Sequence, residues 1–353
     1  MNKFNSFLKR KDIEFSFRRY GLDAMSAMAQ GLFCTLLIGT ILNTVGSQFH
    51  IGIFTKEIVN MAGKGLTIGG LAQAMAGPAM AVAIGYALKA PAMVLFTLVP
   101  VGYAANAMGG AGGPFAVYLV AIFASEMGKA VSKETKVDLL VTPTVTLLAG
   151  VGIAWLIAAP VGNAANSLGR LIMWATELHP LMMGILVAVL VGMALTLPIS
   201  SAAICAGLGL TGLAGGAALA GCCAQMVGFA VMSFRENRWG GLVSQGLGTS
   251  MLQMGNILKN PRVWLPPIIT SMITGPVATC IFHLEMNGAA VNSGMGTCGL
   301  CGPIGVWTGW TDPTAFDWTG LLLVSIVLPA VICPLIALAF RKIGWIRPDD
   351  LKI

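Results

Sequence analysis

The sequence predicts an all-α, polytopic membrane protein of about ten crossings, counting broken helices and the limbs of re-entrant hairpins. Three observations carry that expectation. Of the 353 residues, 56% are hydrophobic and only 10% are charged, against about 25% charged in a soluble domain. Forty-five glycines accompany many alanines, and small residues let membrane helices approach where no hydrophobic drive acts between them. Apolar runs of spanning length also recur between basic turns, in a chain of net charge +7. In a membrane chain such basic clusters report orientation and contact with anionic lipid rather than nucleic-acid binding.

Residues 1–20 interleave Lys3, Lys9, Arg10, Lys11, Arg18 and Arg19 with Phe4, Phe7, Leu8, Ile13, Phe15 and Phe17. That mixture predicts an amphipathic segment lying in the headgroup region. No signal-peptide pattern precedes it, so the reading starts at Met1. Residues 21–137 form a first set of spans. They run from Leu22 to Val45, Leu71 to Leu88, Ala92 to Ala107 and Phe115 to Met127, with a glycine-rich turn at Gly109–Pro114. Glu126 is expected to snorkel to the interface beside Lys129.

Residues 138–345 form a core. Its first span, Leu139 to Val161, ends at Pro160, and residues 162–178 read as an interfacial helix. His179-Pro180 opens a span to Leu197, which stops at Pro198-Ile-Ser-Ser201. The glycine-dense stretch 198–233 is too long for one span of about twenty residues. It reads as two short helices meeting near Gly215-Gly216. Residues 240–263 are expected as a polar cytoplasmic loop, residues 286–304 as a hairpin, Leu321 to Phe340 as a last span, and 346–353 as a cytoplasmic tail. With both termini cytoplasmic, the clusters at Lys89, Lys129–Lys136, Arg235–Arg238, Lys259–Arg262 and Arg341–Arg347 all fall inside.

The polar run Gly240–Asn256 and the stretch Asn287–Pro303 are rich in glycine and small polar residues, yet membrane-length apolar sequence flanks them. Non-helical backbone survives at membrane depth only when buried in protein or lining a wet cavity. A re-entrant hairpin facing a solute is therefore expected, a flexible external loop being the plainer alternative.

Motifs for chemistry are few. Cys298-Gly-Leu-Cys301 stands without the second ligand pair that a tetrahedral zinc site needs, so no metal or cofactor is expected. Walker, nucleophile-elbow and kinase signatures are missing, and no catalytic residue is assigned. What remains is a neutral polar inventory. The candidate solute contacts are Ser200, Ser201, Gln225, Glu285, Asn287, Asn292, Ser293 and Thr297. Amides and hydroxyls at membrane depth suit a neutral hydroxylated solute, and serve equally as glue between helices.

Val141-Thr-Pro-Thr-Val-Thr, Ala158-Ala-Pro-Val-Gly162 and His179-Pro-Leu-Met-Met-Gly184 resemble the membrane-embedded IIC component of bacterial sugar phosphotransferase systems. Gly248-Thr-Ser-Met-Leu-Gln-Met-Gly-Asn-Ile-Leu-Lys-Asn-Pro261 resembles a divergent IIC-like branch that includes perfringolysin-regulator (PfoR-like) proteins. The resemblance implies a homodimer in the bacterial inner membrane and an elevator architecture with a mobile, hairpin-bearing domain. It also implies a IIB-like or regulatory partner on the cytoplasmic face. Asn287–Gly296 lacks the Glu-Pro of the family's Gly-x-x-Glu-Pro motif, and no IIA- or IIB-type phospho-acceptor domain is fused to the chain. Two functions follow as expectations: a carrier of a small polar solute such as a sugar, or a regulator that binds a solute without moving it.

Overall fold

The computed structural model describes residues 3–61, 63–308 and 310–353. Met1 and Asn2, the start of the expected 1–20 segment, lie outside them. The described chain is almost wholly helical: α1 (Lys3–Arg10), α2 (Arg18–Gln48), a small hairpin of β1 (Val59–Met61) and β2 (Lys64–Leu66), then α3 (Ile68–Ala74) and α4 (Ala76–Ala87). Next come α5 (Ala92–Gly109), α6 (Gly113–Val131), α7 (Asp138–Thr176), α8 (Pro180–Thr196), α9 (Ser201–Leu208) and α10 (Gly212–Met232). The last are α11 (Phe234–Val243), α12 (Met254–Lys259), α13 (Pro261–Ile281), α14 (Cys301–Trp307) and α15 (Ala315–Lys342). Among the described residues, six helical stretches are long and apolar enough to cross a membrane, or seven when α3 and α4, bent by 53°, count as one. One of the six, Ala92–Val131, folds back on itself at Gly110, where φ is +52°, so α5 and α6 pack against each other. The all-α polytopic expectation holds.

Two compact units share this chain, one of residues 1–36 and 71–164, the other of 37–70 and 165–353. In the first, α4 and α5 cross where a Cβ on Gly77 would stand 2.5 Å from the Gly102 carbonyl, an approach that only paired glycines permit. The expected end of a span at Pro160 is not seen, because α7 runs on through Pro143 and Pro160 for 39 residues, about 58 Å at 1.5 Å per residue. An interior proline removes one helical hydrogen bond. Here the turn after α5 backs the helix at that point, with Gly112 against the Val161 carbonyl and Gly162 against the Gly109 carbonyl. Lys129 is 2% exposed, and its ammonium reaches the Asp12 carbonyl at 2.7 Å and the Leu88 carbonyl at 3.1 Å. Glu126, expected to snorkel outward, instead lies 2.9 Å from that ammonium, because a buried lysine without a counter-charge is far costlier than a paired one. The amphipathic helix also ends sooner than residue 20: α1 closes at Arg10, and Asp12 sits at φ +52°.

In the second unit α10 is the axis. From Gly215 to Ala230 every residue is buried, and α8, α13 and α15 pack around it. The break expected at Gly215-Gly216 falls earlier. Gly209, at φ +61°, closes α9, and α10 starts at Gly212, the left-handed conformation being cheap only for glycine. Gly215 and Gly216 serve packing instead, since side chains there would strike Met286 and the Leu284 carbonyl.

Residues 240–263, expected as a loop, fold into short helical turns whose amides point inward. Gln245 and Gln253 are fully buried and joined at 2.8 Å. Gln253 and Asn237 both donate to the Leu351 carbonyl, at 2.9 and 2.7 Å, and Asn256 donates to the Lys352 carbonyl at 2.9 Å. The expected free tail 346–353 is therefore clasped, with Ile346 and Leu351 buried. Polar sequence reads as loop, but buried amides with complete partners stabilise a fold as apolar residues do. Gln253→Leu is expected to lower stability by about 1–3 kcal/mol, because it orphans the buried Gln245 Oε1 and takes one bond each from the Leu351 carbonyl and the Asn256 amide. Faster removal of the last residues by carboxypeptidase Y would show the released tail, and an unchanged rate would count against the clasp.

Candidate functional site

Two irregular segments of the second unit meet beside α10. The first, Ser200–Gly212, contains α9; the second runs from Leu284 to Thr297 through a 3-10 turn at Ala290–Gly294. Ser201 Oγ donates to the Gly294 carbonyl at 2.8 Å, and Ser293 Oγ donates to the Leu210 carbonyl at 2.7 Å. Gly212 and Met286 exchange backbone hydrogen bonds of 2.9 Å in both directions. Non-helical backbone in such a protein requires partners, and these two segments supply each other's.

A third segment closes from the other direction. After α11 the chain makes a π-turn, Ser244–Gly248, extends at Thr249, and returns through a 3-10 turn, Ser250–Gln253. Its Gly246 carbonyl accepts from Thr297 Oγ1 at 2.5 Å, so the 240–263 and 286–304 stretches touch at their tips. Next to that contact lies a small polar cluster on the core helices. Thr196, at the end of α8, stands 2.8 Å from Ser250 Oγ and 3.1 Å from Gln225 Oε1. Trp264 Nε1 donates to the same Gln225 oxygen at 2.9 Å. An indole N–H can only donate, so this bond fixes which end of the amide is the oxygen.

The consequence falls on the other end of Gln225. Its side chain is fully buried, yet Nε2 has no hydrogen-bond partner. An orphaned buried donor costs about 1–3 kcal/mol, and a hydroxyl oxygen placed beside it would recover that cost. Gly192 lets α8 pack closely on this side chain: a Cβ there would lie 2.7 Å from the Gly221 carbonyl and 3.2 Å from Gln225 Cγ.

The eight residues singled out by sequence thus fall into distinct roles. Ser201 and Ser293 are buried and bound to carbonyls of the facing segment; Thr297 ties the two tips together. Ser200 caps α9, accepting from Ala203 N at 3.2 Å. Asn292 is half-buried against Gly305, while Asn287, exposed, donates to the Glu285 and Val306 carbonyls at 3.3 and 3.4 Å. Glu285 is exposed. Gln225 stands apart from these, in the Thr196–Ser250–Trp264 cluster. Sequence reasoning missed those three partners, although Ser250 lies inside the Gly248–Pro261 run and Trp264 comes three residues after it. The unusual density of small polar residues there was the available signal.

Cys301 Sγ is 2.8 Å from Thr44 Oγ1, and among the described residues no group of three or more His, Cys, Asp or Glu could hold an ion.

Comparison with curated proteins finds no match, and comparison with solved structures finds none either. A family model does match, that of the phosphotransferase system EIIC component, over residues 22–353. With nearly the whole chain covered, an all-helical membrane fold and irregular segments meeting at its core, the chain belongs to the EIIC family, the permease-type membrane components of sugar phosphotransferase systems.

Proposed function

We propose that this chain is a carrier of a small neutral hydroxylated solute, a sugar or sugar derivative, and that Gln225 is the centre of its binding site. The observation that supports this reading is the unpartnered Gln225 amide, buried among Thr196, Ser250 and Trp264 where two irregular segments touch. Hydroxyl and amide groups of this kind exchange hydrogen bonds with a polyol without a charge on either side, and Trp264 offers an aromatic face to a sugar ring.

Because the amide is enclosed, a solute reaches it only when one tip withdraws. Transporter sites commonly form where broken elements face each other near the membrane midplane, opening to one side at a time. The proposal therefore includes alternating access, with the Ser244–Gln253 and Leu284–Thr297 segments as the moving parts. The homodimer and a IIB-like partner belong to the same proposal and rest on the family, and the cytoplasmic termini rest on the basic clusters.

Counterflow in proteoliposomes tests it. Vesicles loaded with unlabelled hexose, hexitol or pentose should accumulate the matching labelled solute above protein-free vesicles. Saturable binding with no accumulation for any of them would replace the carrier by a solute-sensing regulator.

A further inference from the structure

The first unit carries a polar cavity of its own. It has a volume of about 350 Å³ and is lined by Arg10, Lys11, Lys89, Lys129 and Lys133, with Glu134 as its single acid. Glu134 is shared by Arg10, at 2.8 Å, and by Lys11, and that pairing holds its carboxyl below the usual carboxylate range. The other nearby acids are engaged: Glu126 with Lys129, Asp12 with Arg19 at 2.7 Å, and Asp138 with the Lys133 backbone N–H.

Cations gather at helix C-termini for a plain reason, to meet the last carbonyls and the negative end of the helix dipole. That need is already met here. The Leu88 carbonyl, at the end of α4, receives Lys129 and Arg19, and the Ser132 carbonyl, after α6, receives Lys11. Lys89 and Lys133 remain. Both are exposed, and neither ammonium forms a hydrogen bond or ion pair among the described residues. Two unpaired cations over a pocket floored by the buried Lys11 and Lys129 make a seat for a compact anion with several acceptor oxygens, and phosphate is the group that fits.

Exposed apolar side chains decide where that phosphate comes from. Beside Lys89 in sequence is Tyr86, 77% exposed, and beyond Lys133 are Val137, Leu139 and Leu140, exposed at 59%, 74% and 70%. Such a patch next to a basic pocket matches acyl chains attached to the anion, whereas a free ion has no use for it. We propose that this cavity binds the phosphate of an anionic phospholipid, with Lys89 and Lys133 as its unpaired cations and Arg10, Lys11 and Lys129 setting its field.

Native mass spectrometry of the detergent-purified chain, with dioleoyl-phosphatidylglycerol and dioleoyl-phosphatidylcholine in competition, tests the proposal. The wild-type protein should retain phosphatidylglycerol in preference. The double variant Lys89→Gln/Lys133→Gln should lose that preference by roughly tenfold, at about one decade or less per charge removed. Lys342→Gln, at the end of α15, should leave it unchanged. Both altered lysines are exposed, and an unchanged melting temperature confirms that the double variant is folded. Equal retention by wild type and double variant overturns the proposal. So does displacement of the lipid by millimolar inorganic phosphate with an equal gain in melting temperature, which would make the ligand a free anion.

Discussion

Replacing Gln225 with leucine will abolish solute exchange and leave a folded protein in the membrane. The fold survives because the exchange of partners nearly balances. Leucine removes the orphaned Nε2, relieving about 1–3 kcal/mol of unpaired burial. It also removes Oε1, but Thr196 keeps Ser250 at 2.8 Å, and Trp264 is only half-buried, so its N–H can find water. The proposed site loses both N–H donors of Nε2 and the polarity of the pocket. With two hydrogen bonds of about 1.4 kcal/mol each gone, affinity falls roughly a hundredfold. Trp264→Phe, which removes one bond to the amide and keeps the ring, should fall less, by about tenfold. The readouts are counterflow and size-exclusion of the solubilised protein. A monodisperse Gln225→Leu protein with wild-type counterflow would remove Gln225 from the site.

Gly221→Leu will have the opposite profile, with the fold itself lost. On one seam of the second unit, α8, α10 and α13 meet through glycines. A Cβ on Gly221 would strike the Ala188 carbonyl, one on Gly275 would strike the Gly184 carbonyl, and one on Gly184 would lie 2.5 Å from Thr279 Oγ1. These neighbours are mostly backbone, which cannot rotate away as a side-chain tip can. Overpacking a close-packed core costs about 1–3 kcal/mol when side chains yield, and more is expected where helices must separate along their length. Gly152→Leu provides the comparison, since nothing lies within 4 Å of a Cβ there. Yield of monodisperse protein should collapse for Gly221→Leu and hold for Gly152→Leu. A folded Gly221→Leu protein would mean that the helices are less tightly joined than described.

The fold was legible wherever one-dimensional signals act locally. Long apolar runs gave the spans, Gly109–Pro114 gave the turn between α5 and α6, and Pro198-Ile-Ser-Ser201 gave the stop after α8. The sites of error share one cause. Proline at 160, glycines at 215 and 216, and polar residues at 240–263 carry strong local preferences, and tertiary contacts overrode each of them: a backing turn for Pro160, close backbone approach for the glycines, and mutual amide pairing for the polar run. The candidate site was half legible. Ser200, Ser201 and the Asn287–Thr297 group were singled out by their amides and hydroxyls, and the structure brings these two stretches together. The pairing of Gln225 with Trp264 across 39 positions was not legible, because spacing in sequence says nothing of which helices face each other.

The two ends of the described chain are fastened by different forces, and a change of ionic strength will tell them apart. Near the first helix the ties are ion pairs, Arg10–Glu134 and Arg19–Asp12, with partly exposed partners, and concentrated salt, whose screening length is about 3 Å at 1 M, weakens such pairs. At the other end, Asn237, Gln253 and Asn256 grip main-chain carbonyls through uncharged amides, whose hold has no net charge to screen. In concentrated salt the first helix loosens from its mooring while the last residues stay in place, so a single chain has one fastening that responds to its surroundings and one that does not.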